Sequence, residues 1–210
     1  MLFTIDPYLN RSDLQLIANL VPQGARVLDV GCADGLLLSF LQDTKNVDAR
    51  GIEIAQDNVS TCVKKGLSVI QGDADADLRY FGNQIFDYAI VSNSLQATHR
   101  PKDVLIELLR ISQYVIVSVP NFAHWYNRFY LSIKGRMPVS KFLSYEWYNT
   151  PNIHFCTIKD LVVLCKEVGA TIEKRYYIVD DGPIPFGTCP MIANLVGKQG
   201  VFVITKPQQF

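Results

Sequence analysis

The sequence carries no excess charge of either sign: 20 lysines and arginines balance 20 aspartates and glutamates. Without a basic surplus the chain has no electrostatic footprint for a polyanion, which excludes a general nucleic-acid-binding role. Long apolar runs are also missing. The longest, Tyr88–Val91 and Tyr114–Val119, are of strand length, far short of the ~20 residues that span a bilayer, so no membrane partner is expected. The opening stretch, MLFTIDPYLNRSDLQ, has no basic segment followed by an apolar core. No secretory signal is therefore read from it, and the cytoplasm is the expected compartment. Five cysteines are scattered with no CxxC pair, a pattern that suits reduced core thiols better than a zinc site or a disulfide framework. Histidine is scarce, with three residues, and no metal site is expected from their spacing.

What remains is an ordinary globular composition: 210 residues, 49% hydrophobic and 19% charged. A chain of this length buries roughly 70% of its unfolded surface without a covalent staple, and one domain over residues 1–210 is expected.

Apolar periodicity then alternates between two patterns. Residues 12–21 have the helical spacing of Leu14, Ile17, Leu20 and Val21, with Ser12 or Asp13 as the expected cap. Short apolar runs follow at Ala25–Val30, Ala49–Ile54, Leu67–Gln71, Phe86–Val91 and Tyr114–Val119. Between them lie helical patterns at Leu36–Gln42, Gln56–Lys65 and Pro101–Ser112. Later come a helix over Thr157–Val168, with Thr157 and Asp160 as a capping box, and strands over Thr171–Val179 and Gly200–Thr205. Strands alternating with helices predict a three-layer α/β sandwich around a mostly parallel sheet. Seven strands are expected, the last two forming an antiparallel hairpin across a Gly/Pro-rich connection, Asp181–Gly200.

The sharpest motif is Val27-Leu28-Asp29-Val30-Gly31-Cys32-Ala33-Asp34-Gly35. A buried strand ends in a turn whose small residues at 31, 33 and 35 let a ligand approach the backbone. A dinucleotide fingerprint would need glycine at position 36, which is Leu36. The D-x-G-x-A-x-G pattern instead resembles motif I of class I S-adenosylmethionine (SAM) methyltransferases, with Ala33 where that family usually has its middle glycine. If Ala33 has a positive φ, its methyl group costs roughly 1 kcal/mol. Glu53 stands 18 residues after Gly35, at the end of the second strand, where a carboxylate can accept both ribose hydroxyls. Gln71-Gly72-Asp73-Ala74 follows the third strand and Val91-Ser92-Asn93-Ser94 ends the fourth. All four features fall at the carboxyl ends of strands, where open α/β sheets bind ligands. The methyltransferase resemblance implies SAM or S-adenosylhomocysteine as ligand and an acid at Asp73 for the adenine amine. It also implies Asp29 and the Gly31–Gly35 backbone for the methionine end. The full expected set is Asp29, Gly31, Cys32, Ala33, Gly35, Glu53, Ile54, Gly72, Asp73, Ala74, Ser92 and Asn93.

After Pro120 the rhythm breaks. Residues 120–156 show no clear strand, yet hold ten of the chain's 23 aromatic residues, with Arg128, Lys134, Arg136 and Lys141 against the single acid Glu146. Three readings stay open for this segment. Its aromatics cover one sheet face; it is a lid over the methyl group; or it is a docking surface, since Trp, Tyr and Arg are enriched in interface hot spots. Catalytic candidates follow from location alone: Asn93, His124, Tyr148 and His154, with His99 as a further one.

Together, VLDVGCADG, VSNSLQAT (91–98), PNFAHW (120–125), KGRMPVS (134–140) and EWYNTPNIHFCT (146–157) resemble the MetW family over roughly residues 20–205. That resemblance implies a methyltransferase-like protein of methionine biosynthesis. It would act as an accessory or regulatory subunit for a homoserine O-acyltransferase, docked through residues 120–156. The alternative is an active methyltransferase on a small-molecule or protein acceptor.

Overall fold

The structure, a computed structural model, describes residues 11–140, 143, 145–180, 182–187 and 189–206. Lys141, counted above among the basic residues, and Asp181, at the start of the connection, lie outside the described residues.

Helix α1 (Ser12–Leu20) leads into β1 (Arg26–Val30), α2 (Leu36–Lys45), β2 (Asp48–Glu53), α3 (Gln56–Lys64), β3 (Ser68–Gln71) and the short α4 (Ala74–Asp77). Then come β4 (Phe86–Ser92), α5 (Pro101–Ile111), β5 (Ser112–Pro120), α6 (Trp125–Lys134) and α7 (Ile158–Glu167). The chain closes with β6 (Thr171–Val179), β7 (Gly182–Pro185), α8 (Met191–Val196) and β8 (Gln199–Thr205). One sheet runs in the order β3-β2-β1-β4-β5-β8-β6-β7. Strands β1 to β5 pair in parallel, whereas β8 is antiparallel to both β5 and β6. The strand order reverses between β1 and β4, so the crevice for a ligand opens above their carboxyl ends.

Alternate residues of each central strand feed two cores. Leu28, Val30, Ala89, Val91, Val115 and Val117 pack with α5 and α7. Val27, Ile90 and Ile116 pack with α1 and α2. Burial on both faces is why these strands read as continuous apolar runs. Helix α5 buries Val104, Leu105, Leu108 and Leu109, and Pro101 opens it. The Thr157–Asp160 capping box opens α7.

Two details differ from expectation. The sheet has eight strands, not seven. The extra strand, β7, hides in the Gly/Pro-rich connection because its sequence is Gly-Pro-Ile-Pro. Proline cannot donate within a ladder, but β7 lies at the edge, where one side needs no donors. At the start of α1, neither Ser12 nor Asp13 caps the helix; Arg11 is the N-cap residue and makes no side-chain cap. Asp13 is buried instead, for a reason that belongs to the site.

Candidate functional site

The turn between β1 and α2 is held from several sides. Glu53 accepts a hydrogen bond from the Ala33 backbone N–H at 2.8 Å with one carboxylate oxygen, and from Ala55 N–H at 2.9 Å with the other. The Cys62 thiol donates to the Ala33 carbonyl at 3.3 Å, and Lys65 Nζ to the Asp34 carbonyl at 2.6 Å. Gly31 and Gly35 have φ of +74° and +76°, and Ala33 takes the same left-handed region at 50°. Ala33 is therefore the strained case: its methyl group is tolerated because Glu53 and Cys62 hold the peptide, and because the residue faces solvent. At Gly35 a Cβ would stand 2.4 Å from Leu67 Cδ1 and 2.9 Å from Cys62 Sγ, so glycine is required by packing as well as by φ.

Beside this turn lies a cavity of about 170 Å³ lined by Gly31, Glu53, Ile54, Gly72, Asp73 and Ala74 from the expected set, and by Asp75, Ser94, Thr98 and His99. The remaining expected residues are not part of its lining. Asp29, Cys32, Ala33 and Gly35 build the strand end and turn behind it, and Ser92 and Asn93 continue β4 beyond it. Asp73 caps α4, its carboxylate accepting from Asp75 N–H at 2.9 Å. Asp75, absent from the expected set, accepts from the backbone N–H groups of His99 and Arg100 at 2.7 and 2.8 Å. It thereby ties the segment after β4 to the cavity wall. The alternating Asp73-Ala74-Asp75-Ala76-Asp77 run was the available signal for it.

Asp29 is buried at the β1 end. Burial first, then the charge of Glu53, push its carboxyl up to about 7, and the Arg11 guanidinium pulls the other way. Arg11 pairs with Asp13. Asp13 in turn accepts from Asn93 Nδ2 and Gln199 Nε2, both at 3.2 Å, and Gln199 also donates to Asn93 Oδ1 at 3.1 Å. This buried cluster joins α1, the β4 end and β8. It holds Asn93 at φ 53°, a conformation asparagine tolerates better than most residues. Asp13 is thus a network acceptor rather than a helix cap.

The other candidates stand apart from the 170 Å³ cavity. His124 caps α6, its Nδ1 accepting from Tyr126 N–H at 3.3 Å, and its ring also bonds the Val196 backbone. Burial and the nearby Lys198 charge lower its pKa. It lines a larger cleft of about 440 Å³ between the start of α6 and the end of α8, with Trp125, Tyr126 and Val196. Tyr148 is exposed and stacks edge-on against Trp147 at 5.7 Å. His154 lines a third, apolar cavity. Among the described residues, no group of three or more His, Cys, Asp or Glu side chains could hold a metal ion, and no helix is long and apolar enough to cross a membrane.

The family model described as methionine biosynthesis protein MetW matches residues 11–204. A curated relative from Rhodopirellula baltica, the bifunctional methionine biosynthesis protein MetXA/MetW, is 33% identical over 180 residues. That match covers 81% of this chain and 29% of the relative, so the chain spans under a third of that protein's length. Among solved structures, a SAM-dependent methyltransferase from Thermotoga maritima superposes with a TM-score of 0.68 at 20% identity, covering 95% of this chain and 89% of that one. A SAM-dependent methyltransferase from Archaeoglobus fulgidus gives 0.66 at 16% identity, covering 97% and 96%. The [4+2]-cyclase SpnF gives 0.65 at 18% identity, covering 92% and 80%. At such identities these likenesses establish the class I methyltransferase fold; a cyclase among them illustrates that fold alone does not set the reaction.

Proposed function

The chain belongs to the MetW family of methionine biosynthesis proteins, and from that premise we propose that it is a SAM-binding accessory subunit docked on a homoserine O-acyltransferase. The observation that carries this reading is the set of large apolar side chains left exposed on residues 120–156 and on α8. Trp125, which lines the 440 Å³ cleft, is 53% exposed, Trp147 69%, Met191 65% and Ile192 70%. Monomeric proteins rarely leave large aromatic and aliphatic side chains clustered in water, and Trp anchors dominate interface energetics. Helix α8 extends the face beyond residues 120–156, since His124 and Asn121 tie the start of α6 to Val196, Asn194 and Gly197. The Rhodopirellula relative, whose name joins MetXA and MetW in one chain, supports association with that enzyme.

The polar groups of the 170 Å³ cavity suit part of SAM, since Glu53 and Asp73 are acceptors for its hydroxyl and amine groups. A Cβ at Gly31 would meet Ser94 Cβ at 2.9 Å and one at Gly72 would meet Ile52 Cδ1 at 2.8 Å, so packing of the cavity wall requires glycine at both positions. Glu53 would hold the ribose with its remaining acceptor capacity, Asp73 the adenine, and Asp29 the cationic methionine end. When bound, SAM would supply an electrophilic methyl group. For regulation, the ligand needs different affinities for the free and docked chain, because equal affinity shifts nothing.

Calorimetric titration with SAM and with S-adenosylhomocysteine tests the first half, and the acyltransferase assay with and without this chain and ligand tests the second. Micromolar binding together with ligand-dependent stimulation is the expected outcome; an acyltransferase indifferent to the chain would overturn the accessory role. A second reading, methyl transfer to a small-molecule or protein acceptor, is favoured by His99, a titratable side chain that lines the same cavity. Release of S-adenosylhomocysteine that falls on His99→Ala would favour it over the accessory role.

A further inference from the structure

The segment after β4 forms a single 3₁₀ turn, Leu95–Ala97, with a cavity on each side. Ala97 and Thr98 line the cavity of about 170 Å³, whereas Leu95 and Gln96 line a separate one of about 160 Å³, with Val119, His154, Cys156 and Leu161. Two of the stretches that carry the family resemblance, VSNSLQAT and EWYNTPNIHFCT, meet here. The proposed function uses neither Gln96 nor His154.

The second cavity has a largely apolar wall, with Asp160 also in its lining, and two of its residues carry buried polar atoms without partners. Gln96 is 3% exposed. Its Nε2 is engaged twice, donating to the Asn93 carbonyl at 2.7 Å and to Asn152 Oδ1 at 3.1 Å. Its Oε1 is buried and accepts no hydrogen bond, and His154 Nε2 is likewise buried without a partner. The two residues are neighbours, the His154 backbone N–H donating to the Gln96 carbonyl at 3.0 Å. A buried polar atom without a partner forfeits its hydration, and native proteins leave few such atoms without a ligand, ion or water to serve them. The size of the space decides what can serve these two. An apolar cavity of about 150 Å³ admits a benzene-sized molecule, so this one has room for a six-membered ring. A hydroxyl group donates one hydrogen bond and accepts others. With His154 as its Nε2–H tautomer, such a hydroxyl would donate to Gln96 Oε1 and accept from that Nε2–H.

We propose that this cavity is a second ligand site, and that it takes a small apolar molecule bearing one hydroxyl group. The site backs onto the cavity beside Glu53 and Asp73 across the 95–97 turn, but the proposal does not depend on cofactor binding.

Phenol and toluene are the probes, matched in size and differing in the hydroxyl group. The full chain is titrated with each by calorimetry, and amide NMR shifts locate the contact. The expected result is phenol binding about tenfold more tightly than toluene, as two buried hydrogen bonds allow, with shifts confined to residues 95–97, 119 and 154–161. In His154→Leu the preference should fall to about threefold or less while toluene binding is kept. Gln96→Leu should do the same, and thermal melting checks that each variant is folded. Equal binding of phenol and toluene by the unaltered chain would overturn the hydroxyl assignment. Failure of both probes at millimolar concentration would overturn the site, leaving a pocket for bridging water.

Discussion

The two halves of the sheet's carboxyl edge are built on opposite principles. Over β1, β2 and β3 the backbone does the work: glycines at positive φ, short turns, and carboxylates that accept backbone N–H groups. Over β5, β6 and β8 side chains do it, with aromatic and aliphatic groups left in solvent on α6 and α8. The first half suits a small ligand. The second half leaves apolar side chains exposed, and covering them with the proposed partner would remove that area from water. One fold thus presents a pocket and an exposed apolar face side by side, and each can be broken without the other.

Replacing Gly35 by Val should have the largest effect. Its φ of +76° and the contacts with Leu67 and Cys62 combine a left-handed penalty of about 1–2 kcal/mol with overpacking of about 1–3 kcal/mol. A large loss of denaturant stability and no detectable SAM binding are expected. On the other half, the Trp125→Ala, Trp147→Ala double variant should abolish co-purification with the acyltransferase and leave SAM affinity unchanged. Retained association would return residues 120–156 to the lid reading. Glu53→Ala sharpens the comparison from the pocket side. It should weaken SAM by about 1.5–3 kcal/mol per charge-assisted bond lost, with docking unaffected; unchanged affinity in a titration would refute the ribose assignment.

Asp29 offers a test by pH. Its folded-state carboxyl, at about 7 against an ordinary 3.8, keeps a proton that the unfolded chain has lost. Stability from this group therefore falls as pH rises from about 4 to 7. Asp29→Asn should melt higher relative to the unaltered chain at pH 8 than at pH 5, by a few degrees. The smallest effect is expected from Ala33→Gly, which relieves roughly 1 kcal/mol of left-handed strain. SAM binding should tighten or stay the same, and a clear loss on titration would contradict that reading.

The legibility of the two halves differs for the same reason that their construction does. The pocket half is written in local signals, such as the Asp29–Gly35 turn or the strand ends at Glu53 and Gln71, because turn geometry depends on a few consecutive residues. Asp75 escaped notice because its task, holding His99 and Arg100, spans more than 20 residues of chain. The half with α6 and α8 was legible as composition but not as shape. Strand β7 was masked by its prolines, and α8 by the Gly/Pro-rich stretch around it.

From the sequence by itself came the alternation of strands and helices, the parallel sheet, the position of the ligand crevice and the family. Each of these rests on periodicity, on turn chemistry or on residue order. Only the tertiary structure decided that Asp13 turns inward to join Asn93 and Gln199, that His124 caps a helix, and that Gln96 and His154 face one cavity with unserved polar atoms. Those outcomes depend on which distant groups packing brings within hydrogen-bond range. A side chain such as that of Asp13 meets Gln199, 186 residues away, only after the sheet has been assembled.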